Sequence, residues 1–191
     1  MVKLPNHHAL LNVKDHIRNL NGEQVSPVVH QYVLLLGSNL GNRISNLQHA
    51  TDSIVQQIGS VKKLSKIYSS EPWGFISLDG FVNQALIVVS TKSPQELMVS
   101  IHEIEFSLGR IRDSSLGYAS RTIDIDILHW DGGLYRSENL QIPHALLCRR
   151  RFALMPLTDV LPKGIHPELN LTYTELLLRC ADTNAVKAMG E

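Results

Sequence analysis

Residues 81–109 read FVNQALIVVSTKSPQELMVSIHEIEFSLG. Residues 81–91 are a mostly apolar run and predict a strand. Ser93-Pro94-Gln95-Glu96 then predicts a helix start. Ser93 is the N-cap, Pro94 sits in the first turn, and Glu96 completes a capping box. Leu97, Ile101, Ile104 and Leu108 continue one buried face, and Gly109 ends the helix. The stretch is therefore a strand followed by a helix.

The same alternation extends in both directions. Upstream, YVLLLGSN (32–39) predicts a short apolar strand stopped by Gly37. Gly41-Asn42 opens a helix with Ile44, Leu47, Ile54, Val55 and Ile58 on one face and Gly59 near its end. VKKLSKIYSS (61–70) reads as a second strand, and EPWG (71–74) as a loop. Downstream, RTIDIDIL (121–128) alternates Ile123, Ile125 and Ile127 with Asp124, Asp126 and Leu128, the pattern of a strand with one core face. The order β-α-β-β-α-β predicts an α+β fold of ferredoxin-like type: an antiparallel sheet with helices packed on one face. HWDGGLY (129–135) turns the chain. A Pro- and Arg-rich segment, IPHALLCRRRFALMPL, follows, and then a helix near 172–181 as a C-terminal α extension.

The 191 residues suit one core of ordinary size. Residues 31–191 are read as a single domain. Residues 1–30 form an N-terminal extension of unassigned role, in which Leu10, Val13, Ile17 and Leu20 have helix-like spacing. His7 and His8 have no third ligand placed nearby and are read as solvated. The net charge of zero advertises neither nucleic acid nor an anionic membrane. Cys148 and Cys180 form no CxxC, and no apolar run reaches the roughly 18 residues of a membrane helix. The expectation is a cytoplasmic protein with free thiols.

The chemistry collects around Asp124 and Asp126. Strand geometry puts both carboxylates on one face, where they repel each other and need a cation. Hard oxygen donors without neighbouring Cys or His suit Mg²⁺ rather than zinc. Arg110 and Arg112 in GRIR, Arg121 ahead of the acids, and Arg149 to Arg151 past His144 supply guanidinium groups that bind phosphate oxygens in pairs. GSNLGN (37–42) lacks the GK[ST] ending of a P-loop. Trp73, Phe81 and Phe152 offer flat faces for a planar ring. Asn83, in an otherwise apolar strand, needs hydrogen-bond partners that a heterocycle could supply. A nucleotide cyclase or nucleotidyl transferase shares the paired acids, and an RNA-binding sheet shares the topology. The paired acids would repel a phosphate backbone in the latter.

GSNLGNR, YSSEPWG, FVNQALIV, IEFSLGRIR, RTIDIDIL, IPH and RRFALMPL, in that order over about residues 32–168, resemble the 6-hydroxymethyl-7,8-dihydropterin pyrophosphokinase family. The resemblance implies transfer of pyrophosphate from ATP to the pterin hydroxymethyl group, giving AMP and the pterin pyrophosphate in folate biosynthesis. It implies that Asp124 and Asp126 bind two Mg²⁺ ions and that Arg110 and Arg121 join them in catalysis. It places His102, Glu105, Arg110, Arg112, Arg121, Ile127, His144 and Arg150 at ATP. Ser70, Trp73, Gly74, Phe81, Asn83, Tyr118 and Phe152 are placed at the pterin. Tyr118 stands where the family often has Trp, and Ala145 follows His144 where relatives carry an aromatic residue or proline. The implied partners are the two small-molecule substrates, with no nucleic acid and no membrane. The sequence does not give the oligomeric state; a monomer is one reading, and association with neighbouring folate-pathway enzymes is left open.

Overall fold

The computed structural model describes residues 17–18, 24–74, 79–110 and 120–190. Ile17–Arg18 (β1) and Gln24–Val25 (β2) pair as a short antiparallel ribbon. Ile17 is thus in a strand, not in the helix its spacing suggested. Leu10, Val13 and Leu20, like His7 and His8, lie outside the described residues.

His30–Ser38 (β3) is the centre of the main sheet. Gly37 does not stop it, because pairing with the next long strand continues to Ser38 opposite Val82. Arg43–Gln57 (α1) begins at Asn42, whose side chain accepts from the Ser45 N–H. The predicted strand 61–70 is two strands, Ser60–Leu64 (β4) and Tyr68–Ser70 (β5). Both pair with Phe81–Ser90 (β6). Across the break the Ser65 hydroxyl accepts from the Ala85 N–H at 2.9 Å, so a side chain substitutes for a missing ladder bond.

Pro94–Ser107 (α2) carries the capping box in full: Glu96 N–H to Ser93 Oγ, and Ser93 N–H to Glu96 Oε2. Gly109 follows at φ +84°, a conformation that favours glycine, and ends the helix. Asp124–Trp130 (β7) pairs antiparallel with β3 and forms one edge of the sheet. Tyr135–Arg136 (β8) and Gln141–Ile142 (β9) make a hairpin, and a single 3-10 turn spans Leu147–Arg149. Arg151–Val160 (α3), Tyr173–Arg179 (α4) and Val186–Ala188 (β10) complete the chain. The sheet runs β10-β5-β6-β3-β7, with β4 beside the other half of β6, and every pair is antiparallel.

Helices cover both faces of this sheet, not the single face expected from the sequence, because α3 and α4 bury the apolar residues of the second face. Tyr32, Leu34, Leu36, Ile125 and Ile127 point to one face, where Leu47 and Ile54 of α1 and Leu97, Ile101 and Ile104 of α2 bury them. Val33, Leu35 and Ala85 point to the other, against Leu154 and Leu157 of α3 and Tyr173 and Leu176 of α4. The sequence reading assigned no element to residues 151–160, which overlap the Pro- and Arg-rich segment, and Pro156 lies inside the helix found there. Helix α3 forms around it all the same, with Ala153, Leu154, Pro156, Leu157 and Val160 all buried. Burial of that apolar stripe outweighs the backbone bond that Pro156 cannot make.

A bulge between Val33 and Leu34 re-aims the end of β7. Ile127 faces α1 and α2, Leu128 faces α3, and His129 also faces that way, with Nδ1 2.8 Å from the Tyr173 hydroxyl. No helix among the described residues is long and apolar enough to cross a membrane.

Candidate active site

Because Ile123, Ile125 and Ile127 enter the α1–α2 core, the pleat turns Asp124 and Asp126 to the opposite face. Toward the Asp end of β7 that face is not covered by α3. Each carboxylate side chain keeps 25% of its exposure. The two acids border two pockets.

The first pocket, about 490 Å³, is floored by β3 and β6 and walled by Trp73, Phe81 and Phe152. Asn83 is 1% exposed, and its Nδ2 donates to Ser70 Oγ at 2.9 Å. Gly37 lies opposite both Asn83 and Asp124 in the sheet. A Cβ there would sit 3.2 Å from Asn83 Oδ1, 3.8 Å from Phe81 Cδ1 and 4.0 Å from Asp124 Cβ. The bare backbone at Gly37 is what leaves room between the amide and the carboxylate. Sequence reasoning passed over Gly37 as a strand terminator. The alignment of Gly37 between Asn83 and Asp124 depends on register, which no short motif prints.

The second pocket, about 800 Å³, lies on the α2 side of β7. His102, Arg110, Ile127 and His144 line it, and Asp124 and Asp126 border it as well. His144 Nδ1 accepts from the Leu146 N–H at 3.1 Å. Burial, with Arg150 nearby, lowers its pKa to about 4. At neutral pH the ring is therefore uncharged, and with Nδ1 accepting, its proton is on Nε2.

Three arginines meet the acids. Arg110 contacts both Glu105 Oε1 and Asp124 Oδ1, Arg121 Nη1 lies 2.8 Å from Asp124 Oδ2, and Arg150 Nη1 lies 3.4 Å from Asp126 Oδ2. Glu105 is 1% exposed and lines neither pocket. It accepts from the Ile125 N–H at 2.8 Å and holds Arg110. The Arg150 guanidinium carbon is 5.0 Å from the Trp73 ring centroid and 5.7 Å from that of Phe152, so this cation belongs to the wall of the aromatic pocket. Burial and the neighbouring Asp124 raise the pKa of Asp126 well above the usual carboxylate range, with Arg150 opposing them. Gly74 makes a turn at φ +81° beside Trp73 and does not line the pocket. Arg112 and Tyr118 lie outside the described residues.

The donor set suits a hard divalent cation. Two adjacent carboxylates, partly open to solvent, match the one or two carboxylates that Mg²⁺ takes. Among the described residues no group of three or more His, Cys, Asp and Glu side chains could hold a metal unaided. Water and substrate phosphate would have to complete the coordination sphere.

A family model, 7,8-dihydro-6-hydroxymethylpterin-pyrophosphokinase (HPPK), matches residues 33–162. The chain belongs to this family. Over 137 residues it is 42% identical to the 2-amino-4-hydroxy-6-hydroxymethyldihydropteridine pyrophosphokinase of Porphyromonas gingivalis, covering 71% of this chain and 92% of that one. It is 34% identical over 145 residues to the folic acid synthesis protein FOL1 of Dictyostelium discoideum, covering 76% of this chain and 22% of that one. Among solved structures, a Plasmodium falciparum HPPK-DHPS triple mutant superimposes with a TM-score of 0.63 at 18% identity, over 80% of this chain. The match spans 44% of that chain's length, and at this identity the likeness is one of fold.

Proposed function

We propose that Asp124 and Asp126 mark the point where this pyrophosphokinase brings its two substrates together. The pterin would occupy the aromatic pocket and ATP the polar one. The observation that carries this reading is the shared border: both carboxylates face both pockets. The family reaction forms a bond from the pterin hydroxymethyl oxygen to the β-phosphorus of ATP and breaks the bond from that phosphorus to the AMP oxygen. Such a bond change needs the acceptor and the triphosphate to meet at one point.

On this reading Asp124 and Asp126 would hold Mg²⁺, two ions in all, shared with the triphosphate. When bound, the metal would neutralise phosphate charge and the charge that develops on the departing AMP. Arg110 and Arg121, each paired with Asp124, would lie beside the transferring group and exchange part of that pairing for phosphate oxygens. Glu105 keeps Arg110 at the site. His144 would donate its Nε2–H to the nucleotide, and His102 and Ile127 would complete that wall. Asn83, held by Ser70, would present its amide oxygen to N–H groups on the pterin edge, while Trp73, Phe81 and Phe152 would pack against the ring. Arg112 and Tyr118 are proposed at ATP and pterin from the resemblance alone.

The order β3, α1, β4/β5, β6, α2, β7 supports a ferredoxin-like core. Pairing of β10 with β5 supports reading residues 31–191 as one domain. The free thiols Cys148 and Cys180 support a cytosolic location. Longer relatives such as FOL1 support association with other folate-pathway enzymes.

The test is incubation with ATP, Mg²⁺ and 6-hydroxymethyl-7,8-dihydropterin. AMP that forms only when the pterin is present is the expected product. Cyclic AMP, free pyrophosphate or no turnover would overturn the reading.

A further inference from the structure

We propose that Asn39 is a positioning residue that sets Arg121 against Asp124. Asn39 is the first residue after β3 and is 1% exposed. A buried amide must be satisfied, and among the described residues this one bonds to the chain just ahead of β7. Its Oδ1 accepts from the Arg121 N–H at 2.8 Å. Its Nδ2 donates to Ser120 Oγ at 3.0 Å, and its backbone N–H donates to the Arg121 carbonyl at 3.2 Å.

The next residue is held in the same manner. Asn46, on α1, donates from Nδ2 to the Thr122 carbonyl at 3.0 Å and to the Leu40 carbonyl at 2.9 Å. Strand β7 begins only at Asp124, so two amides hold residues 120–122 where the sheet does not. Arg121 leaves this clasp with its guanidinium 2.8 Å from Asp124 Oδ2. An arginine side chain has many rotamers. Fixing its backbone at both N–H and carbonyl limits where its head can go, and small displacements of a charge-stabilising group cost rate steeply.

This inference rests on the reading of Arg121 as a phosphate-binding residue. A role through Arg121 differs from simple support of the fold, because its effect must vanish when Arg121 is gone. The experiment is a double-mutant cycle of Asn39→Ala and Arg121→Ala, with kcat and both KM values measured and folding checked by thermal melting. Asn39→Ala is expected to lower kcat by about 10- to 100-fold, as a misplaced catalytic group does. Arg121 also borders the aromatic pocket, whose ring walls Trp73, Phe81 and Phe152 keep their places, so the pterin KM should move by less than kcat does. The double variant should be no slower than Arg121→Ala. An Asn39→Ala enzyme with full kcat overturns the proposal. So does an equal loss in the presence and absence of Arg121. If Arg121→Ala alone leaves kcat intact, the phosphate-binding reading of Arg121 fails first and the clasp fails with it. Should Asn39→Ala not fold, Ser120→Ala removes one acceptor of the clasp at an exposed position and runs the same cycle. A roughly two- to fivefold kcat loss that disappears without Arg121 supports the proposal. No loss, or a loss that persists, overturns it.

Discussion

The two pockets share Asp124 and Asp126 and differ in how they are built. The aromatic pocket rests on the middle of the sheet. Gly37 comes from β3, Asn83 from β6 and Ser70 from β5, and ladder bonds on both sides fix all three strands. The polar pocket lies at the sheet's edge, between β7, α2 and the segment around His144. One is a flat-walled slot on paired strands. The other is a polar trough at the sheet's edge, with His102, Arg110 and His144 in its lining. With the pterin in the first and ATP in the second, as proposed, the rigid ring would meet the stiffest part of the backbone. The arginines divide between the two, Arg121 and Arg150 on the aromatic pocket and Arg110 on the polar one, which teaches that the cations gather at the shared carboxylates rather than in either pocket alone.

The largest expected effect removes the border itself. Asp124→Ala or Asp126→Ala should lower AMP formation at saturating Mg²⁺ by about a thousandfold or more, with the fold retained by circular dichroism. Turnover near wild type in either variant would sink the metal assignment. Asp126 gives this prediction a second edge. Its pKa is raised in the folded state, so the proton it retains contributes stability below the unfolded carboxylate pKa, and that stability is lost as pH rises through the folded value. Asp126→Asn should therefore melt higher than wild type at pH 8 without Mg²⁺, with the gap closing toward pH 4.

Next in size is a contrast between the pockets. Asn83→Ala removes a buried amide and should raise the pterin KM by about 10- to 100-fold while leaving the ATP KM within about twofold. Steady-state kinetics with each substrate varied in turn checks it. Equal effects on both would erase the distinction. Gly37→Ala sharpens the same point by space alone. A methyl 3.2 Å from Asn83 Oδ1 should weaken pterin binding by about three- to tenfold, measured by calorimetry.

The smallest effect belongs to the polar pocket. The lowered pKa of His144 means that its stability contribution is present above about pH 6.5 and is lost as pH falls through about 4. His144→Asn, which keeps an acceptor for the Leu146 N–H, should flatten the melting-temperature profile between those limits. An unchanged profile would show that the ring is not buried neutral.

Much of this was legible in the sequence because it is local. The capping box at Ser93, the isoleucine face at 123–127 and the carboxylates opposite it follow from spacing along one element. Bringing Arg110, Arg121 and Arg150 to the acids was implied by the family resemblance. What could not be read depends on distant pairing. Gly37 is a pocket floor only because register sets it between Asn83 and Asp124. Arg150 reads as a phosphate ligand by type, and only folding shows it against Trp73 and Phe152. Helix α3 was not read from its Pro- and Arg-rich segment, since the cost of Pro156 is local while the burial that outweighs it is tertiary. The turn of His129 toward Tyr173 needs a bulge whose extra residue has no sequence mark.

Among the described residues, strand β7 has β3 on one side and no strand on the other. A bare strand edge invites another chain to pair with it. Glu105 occupies the Ile125 N–H, and Asp124 and Asp126 flank it, so the acids proposed for the reaction also place charge along an open border of the sheet. The strand proposed to gather phosphate would thereby be kept from recruiting its own kind, and replacing Glu105 with an apolar residue would threaten solubility as well as turnover.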